Sequence, residues 1–183
     1  MMKTAAEAKI DFLLNAAPAN QILTRLYPFI THLLLSETEA ATMSGRERDE
    51  VHKETWKEVT QDFLGRVAKN VVITLGAQGA YSAREGEYGH IPAFTVKVVD
   101  CTGAGDTFTG AYATEYLRQK RQGRWDIRAA VIYACKAAAL TITKIGAQEG
   151  IPWMDEIQDF HGPADAPSRS FSEGSILGTP LER

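Results

Sequence analysis

Hydrophobic and polar positions along the chain follow two rhythms. Residues 10–14, 31–35 and 71–75 are short runs that are apolar almost throughout, which predicts buried strands. Between them the apolar positions recur at helical spacing. Residues 4–9 predict the end of a helix, and Ile22, Leu23 and Leu26 predict another over 20–27, capped by Asn20. Ser36, Glu37, Thr38 and Glu39 form the loop and cap of a short helix that stops near Gly45. Val51, Trp56, Val59, Phe63 and Val67 carry the helical period across residues 46–69, which predicts one amphipathic surface helix with a solvated charged face. Residues 80–84 and 88–91 read as a hairpin turned at Glu85-Gly86-Glu87, and residues 95–99 as a further strand. Helices are predicted over 103–120, 126–145 and 153–160.

Short apolar strands flanked by helices imply an α/β fold with a mostly parallel sheet covered on both faces. Ligands in such folds sit outside the carboxyl ends of strands, so the loops after residues 14, 35, 75 and 99 are the places to look. Asn15, Glu39, Gly76 to Gly79 and Asp106 lie there. Residues 1–160 are expected to form one domain. From His161 onward Pro, Ser, Gly and charges dominate and periodicity stops, so residues 161–183 are expected to be a disordered tail.

Composition narrows the function classes. A length of 183 residues with 44% hydrophobic content allows one domain with a sizeable core. A net charge of -3 argues against nucleic acid as a partner. Cys101 and Cys135 are expected inside packed elements and lack the spacing of a zinc site or a disulfide framework, so a reduced, cytoplasmic setting is expected, with the nucleus also open. The first residues carry no apolar core of signal-peptide length and no segment is expected to span a bilayer.

The chemistry is expected at residues 99–110, Val-Asp-Cys-Thr-Gly-Ala-Gly-Asp-Thr-Phe-Thr-Gly, where a predicted strand runs through a glycine-rich turn into a helix. Gly103 and Gly105 let the backbone approach a ligand, and the amides that follow form an anion site with the helix dipole. Asp106 adds a carboxylate, which a site built only to hold phosphate would not include; the pairing points to a base beside a transferred phosphoryl group. The alternative is that Thr102 or Asp106 simply caps the helix. Spacing fails both the dinucleotide G-x-G-x-x-G pattern and the Walker loop, since Ala111 and Tyr112 stand where the latter needs Lys and Ser or Thr.

Residues 100–110 resemble the late signature of the ribokinase-like (PfkB-type) carbohydrate kinase family. Four further segments resemble it in family order: residues 15–19 (Asn-Ala-Ala-Pro-Ala), 36–40 (Ser-Glu-Thr-Glu-Ala), 74–79 (Thr-Leu-Gly-Ala-Gln-Gly) and 146–152 (Gly-Ala-Gln-Glu-Gly-Ile-Pro). The resemblance implies a three-layer α/β/α fold and an ATP-dependent kinase for a sugar primary hydroxyl, with D-ribose to D-ribose 5-phosphate the best match and another sugar or a nucleoside left open. By resemblance, Asp106 is the catalytic base, and the amides of Gly103, Ala104, Gly105 and Asp106 form the anion hole. Ser36, Thr74, Leu75, Gly76, Ala77, Gln78, Gly79 and Cys135 would line the nucleotide site. Glu39 would help hold Mg2+. Asp100, Thr102, Thr141, Lys144, Gly146 and Gly150 would hold a monovalent cation such as K+, mostly through backbone oxygens. The resemblance also leaves a homodimer open in full-length relatives.

Departures from the family pattern are Ser36 for Asn, Cys101 for Thr, Cys135 for Asn or His, Gly150 for Ser and Ala16 for Pro. The resemblance begins midway through the family's fold, so the N-terminal half, with its lid and its Gly-Gly sugar motif, is expected to be missing, and the strand at 10–14 to have an unpaired edge. The alternative to a working kinase is an inactive fragment that binds nucleotide or a partner chain.

Overall fold

Five strands form one sheet in the order β1 (Leu13–Asn15), β2 (His32–Ser36), β3 (Asn70–Thr74), β4 (Ala80–Arg84) and β5 (Glu87–Ile91) in a computed structural model that describes residues 1–66 and 69–163. β1–β2 and β2–β3 pair parallel, and β3–β4 and β4–β5 antiparallel. Only β4 therefore runs against the rest, and the sheet is mostly parallel in direction. β1 pairs with β2 alone among the described strands and ends the sheet, and Ile10 is 63% exposed rather than part of a buried strand.

Alternation along the strands divides the core in two. Leu33, Leu35, Val71, Ile73 and Tyr81 face one side, where they meet α2 (Glu37–Ser44), α3 (Trp56–Arg66) and a 3-10 turn at Thr24–Phe29. Leu34, Val72, Ala80 and Ile91 face the other, beneath α4 (Ala104–Arg121) and α5 (Ile127–Thr141). The result is the expected three-layer α/β/α arrangement. Each fully buried aliphatic side chain, such as Leu33, Val72 or Ile73, contributes about 1.5–3 kcal/mol relative to exposure.

Several expectations shift. The helix expected over 20–27 is instead the 3-10 turn: Pro28 lies inside it, with no amide to continue an α-helix, and Leu23 is 59% exposed. The long helix expected over 46–69 is interrupted. A 3-10 turn at Arg48–Glu50 closes on itself through Glu47 N and Glu50 Oε2 at 2.7 Å, and Thr55 Oγ1 accepts the His52 amide at 3.0 Å just before α3 begins. These side-chain-to-backbone bonds compete with a helix. Arg46 then folds back on α3, pairing with Glu58 at 2.6 Å and Asp62 at 2.8 Å. Residues 95–99 form no strand; Thr95 N donates to Pro163 O at 2.9 Å and Val99 N to Ile142 O at 2.7 Å. α5 ends at Thr141 instead of reaching 145, and α1 (Met2–Glu7) and α6 (Met154–Asp159) complete the fold. Of the expected disordered tail, residues 164–183 lie outside the described residues.

Candidate active site

The first turn of α4 is left uncapped by any side chain. Gly103 is the N-cap, with φ 81° in the left-handed region, and no side-chain hydrogen bond closes the helix end. A Cβ at Gly103 would also sit 3.1 Å from Cα, Cβ and O of Ala147, so a glycine is required twice over. Neither Thr102 nor Asp106 is the cap. Thr102 Oγ1 instead donates to Asp100 Oδ1 at 2.7 Å, and Asp106 is exposed in the first turn. Of the four amides expected in the anion hole, that of Ala104 makes a long 3.3 Å bond to Cys101 O. Cys101 is exposed in the turn rather than packed inside an element.

Asp100 ties this turn to the loop after α5. Its Oδ1 also accepts Thr102 N at 2.9 Å, while Oδ2 accepts Gly146 N at 3.0 Å. Donation by the Thr102 hydroxyl, then by the Gly146 and Thr102 amides, pulls its pKa down to about 2. The same loop gathers the other expected cation ligands. Lys144 N donates to Thr141 O at 3.2 Å and Gly150 N to Gly146 O at 3.0 Å. A Cβ at Gly150 would fall 2.9 Å from Gly146 O and 3.0 Å from Thr141 O, so two carbonyl oxygens converge on a spot that only glycine leaves open. Lys144 Nζ turns away to Glu156 at 3.2 Å, leaving its carbonyl as the group it could offer. Among the described residues no three His, Cys, Asp or Glu side chains gather as metal ligands.

The ends of β1, β2 and β3 bring a second group together. Asn15 Nδ2 donates to Thr109 Oγ1 at 2.9 Å, and Thr109 Oγ1 donates to Gly105 O at 2.9 Å, so the end of β1 is fastened to the first turns of α4. Thr109 was not among the expected site residues; its position four after Gly105 was the available signal. Ser36 lies opposite Thr74 in the β2–β3 register, and Thr74 Oγ1 donates to Leu35 O at 3.3 Å. Glu39 closes a capping box with Ser36: Ser36 N donates to Glu39 Oε2 at 2.5 Å and Glu39 N to Ser36 Oγ at 3.3 Å. That capping box engages Oε2 of Glu39 at the end of β2.

The two glycines of the turn after β3 differ. Leu75 N donates to Gly79 O at 2.8 Å, and Ala77 and Gln78 complete a 3-10 turn. A Cβ at Gly79 would lie 2.5 Å from Ala93 N and 2.6 Å from Pro92 C, so this glycine serves packing. Gly76 faces open space. Cys135, expected in the adenine pocket, is packed into the core beneath α4 and α5, where burial pushes its thiol up to about 12. Asp106 opens instead onto a groove of about 490 Å3 whose walls include Gly103, Gly110, Thr114, Tyr133 and Gln148. Asp106, Gly110 and Thr114 recur every four residues on α4, a small-residue stripe that the sequence displays.

Residues 1–154 match the pfkB family carbohydrate kinases. The chain belongs to this family. The relatives agree with the fold. The chain is 36% identical over 148 residues to a ribokinase of Staphylococcus aureus, covering 81% of this chain and 47% of that protein. The crystal structure of a Thermotoga maritima ribokinase superposes with a TM-score of 0.72 at 30% identity, covering 86% of this chain and 50% of that one. An Arabidopsis thaliana ribokinase complexed with ribose and ATP gives a TM-score of 0.74 at 25% identity, over 86% and 49% of the two chains. The chain spans about half the length of the ribokinases it matches. No helix among the described residues is long and apolar enough to cross a membrane.

Proposed function

We propose that this pfkB-family chain carries the phosphoryl-transfer end of an ATP-dependent sugar kinase, acting on a primary hydroxyl, with D-ribose to D-ribose 5-phosphate as the reaction. One observation carries the proposal: the uncapped α4 N-terminus, held by Gly103, presents backbone amides beside the exposed Asp106 carboxylate. Support for ATP and ribose comes from the ribokinases among its relatives, one of them complexed with both.

In this scheme Asp106 accepts the proton of the sugar hydroxyl as its oxygen attacks the γ-phosphorus. The bond to the bridging oxygen breaks and ADP leaves. The amides of Gly103, Gly105 and Asp106 receive the charge that develops on the transferred group, a contribution of about 10²–10³ in rate per well-placed donor. Ser36, Thr74 and the open side of Gly76 line the nucleotide's approach, with Leu75, Ala77, Gln78 and Gly79 shaping the turn. Glu39 would help hold Mg2+, which neutralises phosphate charge. The carbonyls of Thr141, Lys144, Gly146 and Gly150, with Asp100 and Thr102, would hold K+, which would supply positive charge.

The test pairs a turnover assay with calorimetry. Asp106→Asn should lower ribose-dependent ATP turnover by about 10²–10⁴-fold, the range for a general base, while ATP binding persists. Undiminished turnover in that variant would overturn the role of Asp106. ATP binding without turnover in the unaltered chain would select the alternative, a nucleotide-binding chain that does not catalyse.

A further inference from the structure

A second cavity, of about 640 Å3, opens at the other end of the sheet. β2 begins there at His32, β3 begins at Asn70 and β4 ends at Arg84. α4 reaches it through Tyr116 and Lys120. Lys120 is fourteen residues along α4 from Asp106, a distance of about 21 Å at 1.5 Å per residue. The cavity is therefore separate from the groove beside Asp106, and its volume is that of a small-molecule site.

Its lining is cationic in a chain of net charge -3. Lys69, Arg84, Lys120 and Arg124 stand against Asp11 and Glu85. Asp11 is already engaged, accepting from both the Tyr116 hydroxyl and Lys120 Nζ. Arg84 is fixed by Nη1 donating to Trp125 O at 3.2 Å, with Glu87 3.9 Å away, while Lys69 and Arg124 are exposed at the rim. A helix C-terminus attracts cations, which accounts for Lys120 at the end of α4. It does not account for Lys69 before β3 or Arg84 at the end of β4.

His32 lines the cavity and is 1% exposed; its Nδ1 pairs with the Tyr112 hydroxyl at 2.9 Å, and among the described residues its buried Nε2 has no hydrogen-bond partner. Buried polar atoms are nearly always paired, so an orphan beside a cationic cavity points to a missing partner. Around it the rings of Tyr116 and Trp125 form an aromatic wall, with centroids 4.2 Å and 5.6 Å from that of His32.

We propose that this cavity binds a phosphate group, free or as a phosphate monoester, with Lys69, Lys120 and Arg124 as its counter-charges. The site stands on residues other than those of the phosphoryl-transfer reading and does not depend on it.

The experiment is a titration of the 15N-labelled full chain with inorganic phosphate, with ribose 5-phosphate, and with chloride at matched ionic strength. The indole N–H of Trp125 reports this cavity; those of Trp56 and Trp153 serve as internal references, and the Gly103, Gly105 and Asp106 amides report the other site. The Trp125 signal should move saturably with phosphate and not with chloride. Lys69→Gln with Arg124→Gln should weaken that saturation at least about tenfold, as expected for loss of charge-assisted bonds, with the Gly103, Gly105 and Asp106 response unchanged. Tighter saturation by the ester identifies an organic phosphate as the ligand, and equal saturation identifies free phosphate. A stationary Trp125 signal, an equal response to chloride, or unaltered saturation in the double variant would overturn the site.

Discussion

The Asp100 carboxylate accepts the amide of Gly146 at 3.0 Å across 46 residues of chain, and so binds the turn before α4 to the loop after α5. Both candidate anion and candidate cation groups hang on this bond. Because the folded Asp100 titrates near 2 rather than 3.8, its contribution is complete above the unfolded value and is lost as pH falls from about 3.8 through about 2. Its carboxyl carbon should titrate near 2 by NMR. Asp100→Ala should speed hydrogen exchange at the Gly146 amide; unchanged exchange would deny the clamp.

Asn15 and Thr109 join the end of β1 to the first turns of α4. Asn15 Oδ1 also accepts the Ala17 amide at 3.1 Å, so Asn15→Ala should cost about 1–3 kcal/mol in urea unfolding, the net worth of two hydrogen bonds. In a double-mutant cycle with Thr109→Val the two losses should be less than additive, since both remove the bond that the two side chains share.

Burial first, then the charges of Lys120 and Lys69, hold the His32 pKa at about 4 against an ordinary 6.5, with Asp11 opposing. The unfolded chain therefore takes up this proton more readily than the folded one. Stability due to His32 is complete above about 6.5 and declines as pH falls toward about 4, by up to about 3 kcal/mol. Thermal unfolding of a His32→Gln variant should lose the part of the pH dependence that lies in this window.

Gly76 and Gly79 offer a paired comparison. Both have positive φ, 55° and 94°, but only Gly79 lacks room for a Cβ. Gly79→Ala should cost about 2–5 kcal/mol, from left-handed strain and overpacking against residues 91–93, whereas Gly76→Ala should cost about 1–2 kcal/mol. If the open side of Gly76 faces nucleotide, calorimetry should show weaker ATP binding in the Gly76 variant at little loss of stability.

The sequence by itself determined the elements whose signals are local. Runs apolar almost throughout marked β2 and β3, because a strand buried on both faces has little polar side to show. Ser36, Glu39 and Gly45 bounded α2, since caps are contacts among near neighbours, and residues 100–110 resembled the signature of the pfkB family. Only the tertiary structure decided what depends on distant partners. Residues 95–99 have a strand's alternation but join no sheet among the described residues, and the period over 46–69 is broken where Arg46 folds back onto α3. Thr102 was free to cap α4 until Asp100, itself drawn to Gly146, took its hydroxyl. Cys135 went to the core because α4 and the sheet close over it, and the cationic cavity at His32 exists only where β2, β3, β4 and the end of α4 converge.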